Sequence, residues 1–121
     1  MILVDTSVWI DFFRQNNPVV EKVLSPLLEE GEVVALSAVF GELLQGARDE
    51  REMKTLLEFW SSLPKIDEAG LFIEAGKLSA DHKLFSKGVG LLDGYILAAC
   101  NKYKLDLWSL DKRLVAVYSG L

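Results

Sequence analysis

The chain lacks the features that mark several classes of protein. Its single cysteine, Cys100, lies in the apolar run YILAAC and excludes an internal disulfide, so we expect a reducing compartment, the cytoplasm. No apolar run approaches the ~20 residues needed to span a bilayer, and no basic stretch precedes the first apolar residues. We therefore expect a soluble, cytoplasmic protein with no membrane partner.

Histidine and net positive charge are also scarce. The one histidine, His82, stands among polar residues and is expected to be solvated, which leaves no serine–histidine–aspartate set. The formal net charge is −5, whereas proteins that bind nucleic acid through their overall charge usually carry a basic stripe. A nucleic-acid ligand would therefore need a local site whose charge differs from that of the whole chain.

Half of the 121 residues are apolar, which is enough for one domain, 1–121, with a single core. Strands are predicted at MILV, at EVVALS, at KID after Pro64 and at DLWSL. Helices are predicted after each of them. The alternation of strands and helices predicts an α/β fold with a central twisted, mainly parallel sheet flanked by helices in three layers.

The helix boundaries are predicted from capping residues and helix breakers. They give a helix capped by Thr6 or Ser7, a helix that begins at Pro18 and a helix capped by Ser37. Further helices are predicted across DEREMKTLLEFWSSL, over residues 69–87 and across LLDGYILAACNKYK. The final segment, DKRLVAVYSGL, is predicted to form a helical turn followed by an edge strand.

Two aspartates follow predicted strands. Asp5 comes directly after MILV, and Asp111 follows DLWSL, with Ser109 two residues before it. In open α/β sheets the carboxyl ends of the strands form the ligand crevice, so both carboxylates are candidate site residues. Each also has an ordinary structural explanation, since Asp5 can cap a helix and Asp111 can stabilise a turn.

Two further carboxylates lie on predicted helices. Glu42 falls within the apolar stripe of Val39 and Leu43 and is expected to point inward, where a lone carboxylate costs several kcal/mol without a compensating partner. An ion pair with an arginine or lysine is the structural alternative. Asp93 stands at the start of the apolar helix that contains YILAAC, where its structural alternative is a helix cap.

All four carboxylates can meet at one crevice. Oxygen ligands without histidine or cysteine favour a hard divalent cation, Mg²⁺ or Mn²⁺, which can orient a water for attack on a phosphodiester. Such an ion also reverses the local charge. A phosphatase of the haloacid dehalogenase kind would need a second aspartate where Ser7 stands, and a receiver domain would need an aspartate at the end of EVVALS.

The segments MILVDTSVWIDFF, DGYILAAC and WSLDKRL, together with Glu42 in an early helix, resemble the PIN-domain ribonucleases, in particular the VapC toxins of toxin–antitoxin pairs. The likeness runs through the whole chain in motif order. It implies a PIN-like fold and a Mg²⁺- or Mn²⁺-dependent endoribonuclease. It also implies a cognate antitoxin that inhibits the acidic site and a homodimer. A catalytically inert partner-binding module that retains the acidic metal site is the alternative.

The resemblance also assigns residue roles. It makes Asp5, Glu42, Asp93 and Asp111 the catalytic and metal-binding acids, with Thr6, Ser7 and Ser109 supporting them. The basic residues Lys112 and Arg113 are candidates for RNA contact, as are Lys102 and Lys104; a solvated helix face is the alternative for all four. Large apolar residues in KTLLEFW, namely Leu56, Phe59 and Trp60, are expected to be exposed and to be covered by a second copy or an antitoxin.

Overall fold

Three short parallel strands form the centre of the protein. The computed structural model describes residues 1–121 and contains β1 (Ile2–Val4), β2 (Val33–Val34) and β3 (Asp106–Trp108), in the order β2–β1–β3. Ile2 pairs with Val33 on one side and with Asp106 on the other. The central position of β1 places its carboxyl end, and therefore Asp5, in the middle of one edge of the sheet.

Seven helices surround this sheet: α1 (Thr6–Arg14), α2 (Pro18–Glu29), α3 (Ser37–Gln45), α4 (Glu50–Ser62), α5 (Leu71–Asp81), α6 (Leu91–Tyr103) and α7 (Lys112–Ser119). The predicted α/β fold with a parallel sheet flanked by helices is confirmed. No helix is both long enough and apolar enough to cross a membrane.

The main core lies between the sheet and the helices. Leu3 and Trp9 are completely buried, and Trp9 is in ring contact with Phe13, Phe40 and Phe59 at centroid distances of 5.5–5.8 Å. Contacts between aromatic rings in these arrangements stabilise a core beyond their buried area. They hold α1, α3 and α4 together beside the carboxyl end of β1.

The prediction of a strand at KID is wrong. Only one bridge forms there, between Ala35 and Lys65, supported by the hydrogen bond from the Ala35 amide to the Pro64 carbonyl at 2.8 Å. The chain then turns, because the Asp67 carboxylate accepts a hydrogen bond from the Ala69 amide. The strand predicted over EVVALS is likewise limited to Val33–Val34.

The helix predicted over residues 69–87 is too long. Helix α5 ends at Asp81, Lys83 adopts a left-handed conformation (φ 53°), and a separate 3₁₀ turn covers Phe85–Lys87. The break lets Leu84, which is completely buried, enter a small second core with Leu97 and Leu114. The burial of Leu84 explains why helix α5 ends at Asp81 and does not continue to residue 87.

Several smaller predictions near helix ends are also wrong. No edge strand follows DKRLVAVYSGL, whose residues form helix α7 instead. Thr6 and Ser37 are the first residues of their helices and not caps, since Asp5 and Leu36 occupy the cap positions.

The apolar residues expected to be exposed on α4 are largely covered. Leu56 is buried, and Phe59 and Trp60 are half-buried against the main core. The hydrophobic face of α4 therefore belongs to the interior. The side chains of α4 that are exposed include Met53 and Leu57 on its other side.

Candidate active site

Asp5 is the only buried charged residue of the protein, with 6% of its surface exposed. Its Oδ2 accepts hydrogen bonds from the Ser109 hydroxyl at 2.7 Å and from the Ser7 hydroxyl at 3.0 Å. The Ser7 hydroxyl in turn accepts from the Leu110 amide at 3.0 Å. These bonds connect the end of β1 to the segment after β3 and fix the orientation of the Asp5 carboxylate.

Glu42 extends from the middle of α3 towards the start of α1. Its Oε1 accepts a hydrogen bond from the Thr6 hydroxyl at 3.1 Å, and the residue is half-buried. No lysine or arginine lies within 4.0 Å of its carboxylate, so the ion pair considered from the sequence is not formed. The charge of Glu42 is therefore partly desolvated without a cationic partner.

Asp111 is exposed and caps helix α7. Its Oδ1 accepts from the amides of Arg113 at 2.9 Å and Leu114 at 3.3 Å, so the structural alternative considered for it is present. The Asp111 amide donates to the Ser109 hydroxyl at 3.0 Å. The same serine that orients Asp5 therefore also positions the backbone of Asp111.

Asp93 lies in the first turn of α6 and makes no side-chain hydrogen bond. Its pKa is raised to about 6, first because burial disfavours the charged form and then because of the negative charges of Asp5, Asp111 and Glu42. All four predicted acids are thus close enough to interact electrostatically. None of them takes part in the ion pairs of the protein.

The donor set suits a hard cation, although no three of the carboxylates are gathered tightly around one point. Asp5, Glu42 and Asp111 each use one oxygen in the hydrogen bonds described above and keep the other free of protein donors. Asp93 keeps both oxygens free. Carboxylate oxygens in this state are available as ligands for Mg²⁺ or Mn²⁺.

The four basic residues predicted to contact RNA lie in two separate regions, at the start of α7 and at the end of α6. Arg113 Nη1 donates to the Gly88 carbonyl at 3.2 Å and ties the start of α7 to the loop before α6, whereas Lys112 is exposed. Lys102, paired with Glu74 at 3.5 Å, lies with Lys104 at the far end of α6, roughly 14 Å along the axis from Asp93. Arg113 therefore has a structural contact that its sequence context did not indicate.

A second polar cluster was missed by the sequence analysis. Glu68 accepts hydrogen bonds from the Ser37 hydroxyl, from the Ser37 amide at 3.0 Å and from the Tyr95 hydroxyl at 2.5 Å. It connects the first residue of α3 with α6. The cluster fixes the two helices that carry Glu42 and Asp93, but Glu68 had no motif that could distinguish it from a surface glutamate.

Removing the Ser109 hydroxyl should impair the site without unfolding it. We expect Ser109→Ala to lower any metal-dependent activity about 10- to 100-fold, because Asp5 loses its shortest hydrogen bond and Asp111 loses its backbone anchor. Ser119→Ala is the matched control, since its hydroxyl donates only to the Val115 carbonyl on exposed α7. Equal activity of the two variants would contradict a positioning role for Ser109.

Comparison with known proteins places this arrangement in a family. The family model described as PIN domain matches residues 2–120. The chain is 30% identical over 69 residues to the VapC ribonuclease Mb1587 of Mycobacterium bovis and to the ribonuclease VapC11 of Mycobacterium tuberculosis. The alignment covers 55% of this chain and 52% of each relative, so the chain spans about half the length of these relatives.

Among solved structures, the crystal structure of FitAcB from Neisseria gonorrhoeae has a similar fold. The TM-score is 0.65 with 22% identity, over 98% of this chain and 94% of the other. Fold, strand-end aspartate and family match together define the class, and the chain belongs to the PIN domain family. The PIN-like α/β/α architecture expected from the resemblance is confirmed.

Proposed function

We propose that the protein is a metal-dependent endoribonuclease that acts as the toxin of a toxin–antitoxin pair. The observation that carries the proposal is the buried Asp5 carboxylate at the end of β1, which Ser7 and Ser109 orient and near which Glu42, Asp93 and Asp111 lie. Four carboxylates in electrostatic contact without any cation favour binding of a divalent ion. The similarity to the VapC ribonucleases supports RNA as the substrate.

The chain's own residues have distinct tasks in this proposal. Asp5, Glu42, Asp93 and Asp111 would hold Mg²⁺ or Mn²⁺, which when bound activates a water and neutralises charge on the phosphodiester. Ser7 and Ser109 hold the Asp5 carboxylate in one orientation, and Thr6 does the same for Glu42. Preorganised carboxylates bind an ion without first having to order their side chains.

The proposal includes two protein partners. An antitoxin would inhibit the nuclease by covering the acidic site, and a second copy of the chain would form a homodimer. Leu56, Phe59 and Trp60 cannot provide that contact, because they pack against the core. The most exposed apolar side chains, Ile73 on α5 and Phe85 in the 3₁₀ turn, are 72% and 89% exposed and are available for contact.

Cleavage of RNA with and without a divalent ion tests the function. We expect the purified protein to cleave single-stranded RNA internally with Mg²⁺ or Mn²⁺, and to lose this activity with EDTA. Mapping of the new RNA ends after induced expression would identify the site of cleavage. Metal binding without cleavage of any cellular RNA would instead favour the inert partner-binding module.

A further inference from the structure

A cleft of about 390 Å³ lies between α1, α3 and α4 and shares Glu42 with the acidic site. Of its four apolar lining residues, Ile10 and Phe13 are at least partly exposed, whereas Leu43 and Leu56 are buried. Its polar lining includes three arginines: Arg14, Arg48 and Arg51. The volume falls within the range of small-molecule and cofactor pockets. Glu42, Asp49 and Glu52 also line it, so the cleft continues the acidic site with a mixed set of arginines and carboxylates.

The three arginines differ in their partners. Arg48 Nε pairs with the Glu52 carboxylate at 3.0 Å, one turn further along the chain. Arg14 and Arg51 have no carboxylate within 4.0 Å, and their guanidinium groups make no hydrogen bond within the protein. Asp49, at the start of α4, accepts through Oδ1 from the Glu52 amide at 2.8 Å and pairs with neither of these arginines. Two guanidinium groups are thus free to bind an external anion.

We propose that this cleft is a subsite for the RNA backbone, in which Arg14 and Arg51 bind a phosphate next to the nucleotide at the acidic site. The proposal rests on the proposed function. Guanidinium groups bind phosphate through two parallel hydrogen bonds, and their charge does not depend on pH. The apolar wall, with Phe13, would contact a base of the same strand.

The arrangement favours RNA over an acidic protein segment. Glu42 belongs both to the cleft and to the acidic group, so a strand bound at the acids would continue into the cleft that Arg14 and Arg51 line. Phosphates recur at every nucleotide, and apolar walls between basic groups suit unstacked bases. The same two arginines also explain how a chain of net charge −5 can bind a polyanion locally.

Binding of a single-stranded RNA of about 12 nucleotides tests the subsite. Fluorescence anisotropy with Mg²⁺ in the Asp5→Asn background, where cleavage is expected to be lost, compares Arg14→Gln and Arg51→Gln with their parent. We expect each change to weaken binding about fivefold to tenfold and to lower the salt slope by about 1. Lys54→Gln is the matched control, because Lys54 lies on the same helix but outside the cleft, and it should change affinity less than about twofold.

The possible results distinguish failure of the proposed phosphate subsite from failure of the proposed nuclease function. Unchanged RNA affinity in both arginine variants would overturn the subsite, even if the wild type cleaves RNA. Loss of affinity in these variants, together with an inactive wild type, would support the subsite and refute the nuclease. Retained RNA affinity with loss of binding to a co-expressed protein partner would assign the cleft to that partner and overturn our proposal. Thermal melts of all variants verify that they are folded.

Discussion

Asp5→Asn should reduce metal-dependent RNA cleavage by at least about 100-fold while leaving the fold intact. Asparagine has nearly the same shape and can still accept hydrogen bonds from Ser7 and Ser109. It lacks the negative charge that a divalent ion requires, and the proposed site would lose its most buried carboxylate. Initial rates of RNA cleavage, with circular dichroism of the same samples, measure the effect.

Asp11→Asn is the matched control for this change. Asp11 lies on the same helix, α1, but its carboxylate accepts a hydrogen bond from the Asn17 side chain at 3.2 Å and is not among the acids that affect Asp93. We expect its activity to stay within about twofold of the wild type. Full activity of Asp5→Asn, or equal losses in both variants, would remove Asp5 from the active site.

The sequence was sufficient to predict features that depend on local patterns. The apolar run before Asp5 predicts a buried parallel strand, and the strand is present with that aspartate at its end. The same reasoning identified the segment after β3 and the helix with Asp93. Local patterns were therefore sufficient to predict that carboxylates at strand ends and at the start of an apolar helix lie near one another.

Contacts between distant segments could not be predicted in this way. Ser7 and Leu110, whose hydrogen bond supports Asp5, are separated by 103 positions. The burial of Leu84 and of Leu56 depends on which helix packs against them, and helical periodicity gives no information about that choice. The cleft between α1, α3 and α4 was missed for the same reason, because Arg14 and Arg51 belong to different helices.

The stability of the metal-free protein should fall as the pH rises from about 4 to about 7. Asp93 has a pKa of about 6 in the folded protein against an ordinary value of 3.8, so the folded state binds the proton more tightly than the unfolded state does. The stabilisation that the bound proton gives the folded state is complete below pH 3.8, the ordinary pKa of the group. It is lost as the pH rises through about 6, the pKa in the folded protein. Allowing for partial exposure, we expect a loss on the order of 1–2 kcal/mol. Thermal melts in EDTA across this pH range measure it.

Asp93→Asn should remove this pH dependence and weaken the response to metal. In EDTA at pH 8 we expect the variant to melt about 4–8 °C above the wild type, because the neutral amide avoids the cost of burying a charge and does not repel Asp5, Asp111 and Glu42. At pH 4 the two proteins should melt alike, since Asp93 is then protonated.

Mn²⁺ at about 100 times its dissociation constant should stabilise the wild type by about 2.7 kcal/mol and the variant by less, because a ligand is missing. Asp81→Asn, a change at the end of α5, should behave as the wild type in each of these conditions. If Asp93→Asn melts below the wild type in EDTA at pH 8 and gains equally from Mn²⁺, Asp93 is neither coupled to the other acids nor a ligand. If the predicted pattern is observed, the negative charge of Asp93 that helps to bind the metal also destabilises the metal-free protein.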